Sequence, residues 1–548
     1  MAEISEILFP EFPEISTSRW EEQIIKDLKG KDYNKALVWQ TLDGISVLPY
    51  YRAENLEGKE YLLADPGTFP FVRGNFPENN WLIRQDIVVS DMGEANQKAL
   101  DVLGKGVNAL GFYFKNCTKL TSGELSVLLK DICLEAAEIN LVCDCPDSDL
   151  LKAFVALTAA GPWNLQQIKG SVAYDPLTRL LLKGKSDVCC EEKYFQQLKD
   201  KIILASPLPG VRTLAVNGKT FGNSGATVVQ ELAFSLALGA EYLSQLTDLG
   251  LSPDEVAQRM VFNLSIGNNY FFEIAGLRAG RLLWSRIVKS FNPASDDSAR
   301  MIVHAETGTF NLTVYDPYVN LLRTQTEAMS AALGGAHSVT VLPFDHAFRP
   351  SGEFSERIAR NQQILLKEES YIDKTTDAAG GSWYLENLTE AIAEQAWKLF
   401  LEVDDKGGFL SAIKEGFVQQ TIKSTAAKRI QNITSRRENL LGVNQFPNFN
   451  EVLPDFPELL DPRTEDGSTG IAEIETLKPF RVGETLETLR YRTDRYSKGH
   501  KRPSAFMLTI GDLAMRKARA LFSCNFFAAG GFEVIDNNGF SAIAEGLG

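Results

Sequence analysis

Between residues 81 and 345, short strand-like runs alternate with helical stretches, and no other feature constrains the fold as much. The runs are WLIRQDI (81–87), ALGFYF (109–114), INLVCD (139–144), LQQIKGSV (165–172), RTLAVNG (212–218), RMVFNLSIG (259–267), RMIVHAE (300–306) and HSVTVLP (337–343). Helical patterns such as ATVVQELAFSLALGAEYL and YVNLLRTQTEAMSAALGG lie between them, the second closing on Gly334-Gly335. Eight strands with helical crossovers over ~260 residues form the pattern of an α/β (β/α)8 TIM barrel. A doubly wound open sheet stays open as the alternative, because alternation alone does not establish closure.

The flanks divide the 548 residues further. Residues 1–50 read as an N-terminal arm, a helix plus a hairpin, followed by the barrel at 51–350. In the arm, Ser18 with Glu21 three positions on resembles a capping box, Gly30 is placed to end the helix, and Asp43-Gly44 suits a hairpin turn. Such an arm either wraps a partner or packs on its own domain. Residues 351–445 read as a helical extension of the barrel domain, and 446–500, rich in Pro, Asp and Glu at its start, as a linker. From 501 to 548, SAFMLTIG, DLAMRKARALFSCNFFAAGG and FEVID give the start of a further α/β domain, shorter than the ~100 residues such a domain needs.

A net charge of −15 argues against nucleic acid and anionic membrane surfaces as partners, though one basic pocket suffices for an anionic ligand. No window offers about 18 uninterrupted apolar residues for a membrane span. The N-terminal MAEISEILFPEFPEIS lacks the basic and apolar regions of a secretory signal. Seven dispersed cysteines, an odd number, suit a reducing compartment, so the cytoplasm and buried or inert thiols are expected. The four histidines, His304, His337, His346 and His500, form no i,i+4 pair, and no Cys-x-x-Cys frame exists, so no metal site is expected.

Few residues present themselves for chemistry. In WLIRQDIVVSD the adjacent Arg84, Gln85 and Asp86 interrupt a strand that otherwise reads as buried, a costly arrangement unless they are paired or used. VNGKTFGNSGAT, at 216–227, contains Gly-Lys-Thr, but Thr213 stands where a Walker A loop needs glycine. Its glycines suit a tight βα turn or a close backbone approach to a ligand. RMIVHAETGTF places His304, Glu306 and Thr307 at a strand's C-terminal end, the ligand face of a barrel, where a satisfied His–Glu pair outweighs a catalytic dyad. Arg179 could meet an anion. No Ser-His-Asp or Cys-His set assembles, so no catalytic residue is assigned.

The residues nevertheless resemble a known family. PFVRG (70–74), WLIRQ (81–85), GAT (225–227), LRAGRLLWSRIV (277–288), TEAMSAALGG (326–335), SERIARNQQILLKEES (355–370), GGSWYLENLT (380–389) and LLGVNQF (440–446) are similar, in consistent order, to methylmalonyl-CoA mutases. The resemblance runs from about residue 37 to the C-terminus. It implies a substrate-binding barrel joined by a linker to a flavodoxin-like cobalamin domain, of which 501–548 would be a degenerate, truncated start. It also implies radical rearrangement of acyl-CoA thioesters with adenosylcobalamin.

Three departures stand out. Competent members follow the Arg-Gln pair with Tyr-Ala-Gly, where this chain has Asp86, Ile87 and Val88. They carry Gly-Tyr-His where this chain has Gly218, Lys219 and Thr220, the His binding the thioester carbonyl. Their Asp-x-His-x-x-Gly motif supplies a cobalt ligand, while residues 511–522 contain no histidine. Residues are also missing between Gly74 and Trp81, and Arg179 stands near the place of an arginine for the substrate carboxylate. Arg84, Gln85, Asp86, Arg179, Lys219 and Thr220 are therefore read as degenerate site positions, with Asp86 expected to pair with Arg84 or Lys219. The resemblance implies the small, non-catalytic kind of subunit, whose catalytic α partner holds the cofactor in a heterodimer. An acyl-CoA-binding enzyme of altered chemistry, or a binding or chaperone module for a mutase, is the alternative.

Overall fold

A computed structural model describes residues 11–12, 15–114, 120–143, 149–186, 192–448, 451, 453 and 473–547. The arm opens with helix α1 (Thr17–Asp27), capped by Ser16 and not by Ser18. Ser16 is extended and accepts the Arg19 N–H, whereas Ser18 already lies inside the first turn. The helix stops at Asp27, and the reversal beyond it uses positive φ at both Lys29 and Gly30. After α2 (Tyr33–Leu37), strands β1 (Trp39–Gln40) and β2 (Ser46–Val47) pair antiparallel around Gly44, whose φ is 75°. This hairpin packs on its own barrel: Trp39 meets Phe272 with ring centroids 5.6 Å apart, and Asp43 accepts the Val229 N–H at 3.1 Å. By contrast, α1 buries no residue at all.

Eight parallel strands then close a barrel, as the alternation predicts, and the open-sheet alternative fails. They are β3 (Leu82–Val89), β4 (Ala109–Phe114), β5 (Glu138–Cys143), β6 (Gly170–Tyr174), β7 (Val211–Val216), β8 (Met260–Ile266), β9 (Val303–Thr307) and β10 (Ser338–Thr340). The strand expected at 165–172 begins only at Gly170, because a turn that bonds Gln167 to Asn164 precedes it. Between the strands run α3 (Met92–Leu103), α4 (Ser122–Leu128), α5 (Leu150–Ala160), α6 (Pro176–Lys183), α7 (Glu192–Leu204), α8 (Lys219–Asn223), α9 (Val228–Asp248), α10 (Pro253–Ala257), α11 (Tyr270–Ser290) and α12 (Val319–Leu333).

The period-two alternation sorts side chains radially. Ile83, Ile87, Leu110, Phe112, Ile139 and Leu141 point outward into one apolar layer with Ala95, Ala99, Leu125 and Leu128 of the helices. Their sequence neighbours Arg84, Asp86, Gly111, Tyr113 and Asn140 consequently turn to the axis. A larger core surrounds α9 and α11, on the far side of the barrel.

Beyond the barrel come α13 (Glu353–Glu368), α14 (Trp383–Asp404), α15 (Phe409–Lys414) and α16 (Phe417–Thr434). Of two buried arginines in the LRAGRLLW stretch, Arg278 ties this layer to α11 and Arg281 ties α11 to the segment before β3 and the end of α12. Arg278 pairs with Asp377 and, at 2.7 Å, with Glu386, and all three side chains are at most 2% exposed. Arg281 donates to the carbonyls of Phe71, Val72 and Gly334 at 2.9, 3.1 and 2.7 Å.

The helix Glu484–Ser497 lies within the stretch read as a linker and is tied to the barrel, since the Tyr315 hydroxyl donates to Asp494 at 2.6 Å. Residues 454–472 of that stretch lie outside the described residues. Strands β11 (Ser504–Phe506) and β12 (Glu533–Ile535) pair parallel across the helix Leu513–Ala529, a βαβ unit.

Cys133 is exposed and Cys524 half-buried as free thiols, while Cys143 is disulfide-bonded, so the expectation of a buried or inert thiol fails at Cys143. Cys117, Cys145, Cys189 and Cys190 lie outside the described residues. Among the described residues no helix is long and apolar enough to cross a membrane.

Replacing Arg278 by Met leaves Asp377 and Glu386 buried without their cation. Breaking a buried pair from one side costs about 3–5 kcal/mol, so R278M should unfold at markedly lower urea than wild type, and an unchanged midpoint would refute the tie.

Candidate functional site

The three polar residues of β3 do not act together. Gln85 points outward to α13, donating to Glu356 Oε2 at 3.3 Å and accepting from Arg360 Nη1 at 3.0 Å. Arg84 and Asp86 point inward and pair with each other, Nε to Oδ1 at 2.7 Å. Gly111, in register opposite Asp86 on β4, makes room for them, because a Cβ there would fall onto the Asp86 carboxylate and the Arg84 guanidinium.

A second pair completes the axis. Lys219 opens α8 directly behind Gly218, whose bare Cα lies against Ser235 and Leu264. The Gly-Lys-Thr stretch is thus a tight βα turn. Lys219 Nζ meets Glu306 Oε2 of β9 at 2.9 Å. Burial opposes both of these charges, yet each overcomes it in the other: Lys219 is held above the ordinary ammonium value and Glu306 below the usual carboxylate value. For Asp86 burial prevails and raises the carboxyl, with Glu306 adding to the shift against the pull of Arg84 and Lys219. The Tyr113 hydroxyl, buried beside Asp86, is pushed up to about 12.

These groups line or adjoin a cavity of about 260 Å³ in the upper half of the barrel. Arg84, Arg179, Lys219, Thr220 and His304 are among its walls, so the structure brings these expected positions together and leaves Gln85 out. His304 does not pair with Glu306. Its Nδ1 meets Ser338 Oγ at 2.9 Å, its Nε2 has no partner, and burial with the nearby Arg84 and Lys219 charges keeps the ring neutral. Thr307 turns away from the axis and accepts the Leu342 N–H at 2.9 Å. Asp175 shapes the roof, accepting from Tyr242 Oη at 2.6 Å and from the Thr178 and Asn217 amides at 2.9 Å.

The lower end of the axis is stoppered. Glu138, at the start of β5, meets His337 Nε2 at 3.0 Å, and the Phe76 ring packs on His337 at 6.3 Å. A separate cavity of about 40 Å³ beneath shares no lining residue with the upper one. Burial works against the Glu138 charge, but His337, with Arg212 and Asn140, outweighs it and holds the carboxyl at about 2.

Chemically, Asp86 and Glu306 are committed to Arg84 and Lys219, Glu138 is held by His337, and the His304 imidazole above the stopper is neutral. Among the described residues no group of three His, Cys, Asp or Glu could hold a metal. The residues present do not fit a cobalamin either: the loop between β11 and the following helix offers Asp512, which caps the Ala514 and Met515 amides, and no imidazole. His500, the nearest in sequence, stacks on Tyr496 at 4.4 Å.

Sequence reasoning missed Gly111, Tyr113, Asp175 and the Glu138–His337 stopper. For Gly111 and Tyr113 a signal existed, since period two puts them on the Asp86 face of the barrel. The cross-barrel partners carry none, because register and shear, not local pattern, decide which inward residues meet.

Comparison with known proteins points one way. The family model described as "Methylmalonyl-CoA mutase" matches residues 40–122 and 120–490. The chain is 46% identical over 550 residues to the methylmalonyl-CoA mutase small subunit of Porphyromonas gingivalis, covering 100% of this chain and 87% of that protein. It is 32% identical over 550 residues to the small subunit of Streptomyces virginiae, covering 96% and 84%. It is 32% identical over 455 residues to the mitochondrial methylmalonyl-CoA mutase of Mus musculus, covering 78% of this chain and 60% of that one.

Two outcomes follow from the axis. A methyl group at Gly111 displaces the Arg84–Asp86 pair, so G111A should cost about 1–3 kcal/mol, as overpacking does; stability equal to wild type in urea melts would refute the close fit. Glu138 has a depressed carboxyl, so its contribution is complete above the ordinary 4.5 and is lost as pH falls through about 2. The stability gap between wild type and E138Q should be present above pH 4.5 and close towards about 2. A gap that widens on acidification would contradict the pairing.

Proposed function

This chain belongs to the methylmalonyl-CoA mutase family, and on that premise we propose that it is the small, non-catalytic subunit of a heterodimeric mutase. Its partner, a catalytic α subunit of the same fold, holds adenosylcobalamin and the acyl-CoA and interconverts succinyl-CoA and (R)-methylmalonyl-CoA in the cytoplasm. The cofactor would supply radical generation there, on the partner's residues.

One observation carries this reading. The positions at which the competent pattern has its radical-gating tyrosine and its carbonyl-binding histidine hold Asp86 and Thr220, beside Lys219. Asp86 and Lys219 are bound into ion pairs with Arg84 and Glu306. A carboxylate held by a guanidinium cannot replace the tyrosine ring that screens a radical, and Thr220 brings no imidazole to a thioester carbonyl. The stoppered lower end adds to this, because a pantetheine arm needs a continuous axis. Arg84, Gln85, Asp86, Arg179, Lys219 and Thr220 are then an inherited frame, re-satisfied internally. The division into arm (1–50), barrel (51–350), helical extension (351–445), linker (446–500) and degenerate cobalamin-like start (501–548) belongs to the same reading. The α subunit would be met by α1, which exposes Trp20 and Ile25 at 49% and 58%.

The remaining 260 Å³ cavity is what favours the second reading, an acyl-CoA-binding chain of altered chemistry. Equilibrium titration separates the two. The isolated chain should bind neither adenosylcobalamin nor succinyl-CoA, and should co-purify with the larger homologous subunit as an active complex. Within that complex, exchanging the pair by K219M/E306Q should leave kcat unchanged. Tight binding of both ligands by the isolated chain, or loss of turnover in a complex that still assembles, would overturn the proposal.

A further inference from the structure

The ion pairs of the barrel axis leave donors over, and these open onto the 260 Å³ cavity. Arg84 commits its Nε–H to Asp86 at 2.7 Å. Among the described residues no partner meets its Nη1 or Nη2, and although the residue is only 6% exposed, both nitrogens keep accessible surface beside the cavity. Lys219 gives one of its three N–H groups to Glu306, at 2.9 Å. Thr220 is 8% exposed and lines the same space. Its hydroxyl bonds to no described residue and is not sealed off, and the Tyr113 hydroxyl on β4 stands the same way. By contrast, Thr178 Oγ1 and His304 Nε2 lack partners but have no accessible surface, so they do not face the space.

The acceptors on these walls are largely filled. Asp175 takes the Tyr242 hydroxyl at 2.6 Å and the Thr178 and Asn217 amides at 2.9 Å. The Asn217 and Asn263 side chains bond to each other at 2.7 Å, leaving one amide donor and one amide acceptor. Buried donors without acceptors are rare in native structures and call for a missing acceptor. Charge points the same way. Arg84, Lys219, Arg179 and Lys183 line the cavity against the single carboxylate of Asp175, with Asp86 and Glu306 standing behind their own cations. Arg179 and Lys183 lie one turn apart on α6, and Lys183 is exposed, so the mouth opens there.

We propose that this cavity binds a small dicarboxylate, as the free acid anion. One carboxylate would take the Arg84 Nη fork and the Thr220 and Tyr113 hydroxyls, and the other would meet Arg179 and Lys183 at the mouth. A planar carboxylate suits the two parallel N–H groups that a guanidinium end presents. A phosphate, with its charge near −2, suits the site less, because Asp86 and Glu306 lie directly behind the donors. At about 260 Å³ the space falls below the roughly 300 Å³ at which sites for drug-sized ligands begin, and the Glu138–His337 stopper closes its lower end, so a CoA thioester does not fit. The assignment goes beyond the subunit role proposed above, because it gives this chain a ligand of its own.

Isothermal titration calorimetry of the full chain with glutarate, and with 1,5-pentanediol as its uncharged counterpart, tests the proposal. Glutarate should bind and the diol should not, and inorganic phosphate should bind more weakly than glutarate. Thr220→Val keeps the shape but loses one hydrogen bond to a charged group, so affinity for glutarate should fall by about tenfold. Tyr113→Phe should weaken binding likewise and serves if T220V does not fold. No heat with glutarate, diol or phosphate binding equal to it, or wild-type affinity in a folded variant would each overturn the assignment and leave the subunit reading intact. Succinyl-CoA bound as tightly as glutarate would overturn both.

Discussion

Three residues, Ser338–Thr340, decide whether this sheet has edges. As β10 they bond in parallel to β3 on one side and β9 on the other, and the barrel closes only through them. Closure has an electrostatic consequence that an open sheet would escape. Every inward side chain then shares one narrow axis with little water, where an uncompensated charge is costly. Each cation brought inside therefore needs an anion from another position of the ring.

The interior meets that demand in tiers. Glu138 and His337 close the lower end, Arg84 and Asp86 pair along one strand, and Lys219 spans from β7's turn to Glu306 on β9. Room for these pairs comes from glycines at 111 and 218 as much as from the charged residues themselves. Here the charged groups are matched to one another.

Much of this was legible in the residues alone. All eight barrel strands were found because outward-facing apolar residues alternate with polar or small ones and glycines punctuate the turns. The errors came where two signals compete locally. Ser16 and Ser18 are both good caps, and only backbone geometry chose Ser16. Ile168 extends an apolar run, but the turn at Asn164–Gln167 delays β6 until Gly170. In the arm, the hairpin turned inward to α9 while α1 stayed open, a division that composition does not encode.

What the sequence determined by itself is the alternation that demands a parallel α/β sheet, the polar trio Arg84-Gln85-Asp86, and the absence of tyrosine and histidine at the two competent positions. Those are properties of single residues and of local period. What the tertiary structure decided is who meets whom: Gln85 leaves for α13, Asp86 turns to Arg84, Lys219 finds Glu306, and His304 is parted from its neighbour Glu306. The physical reason is that pairing across a closed barrel depends on register, shear and the volume that glycines leave open, none of which is written within reach of any one residue.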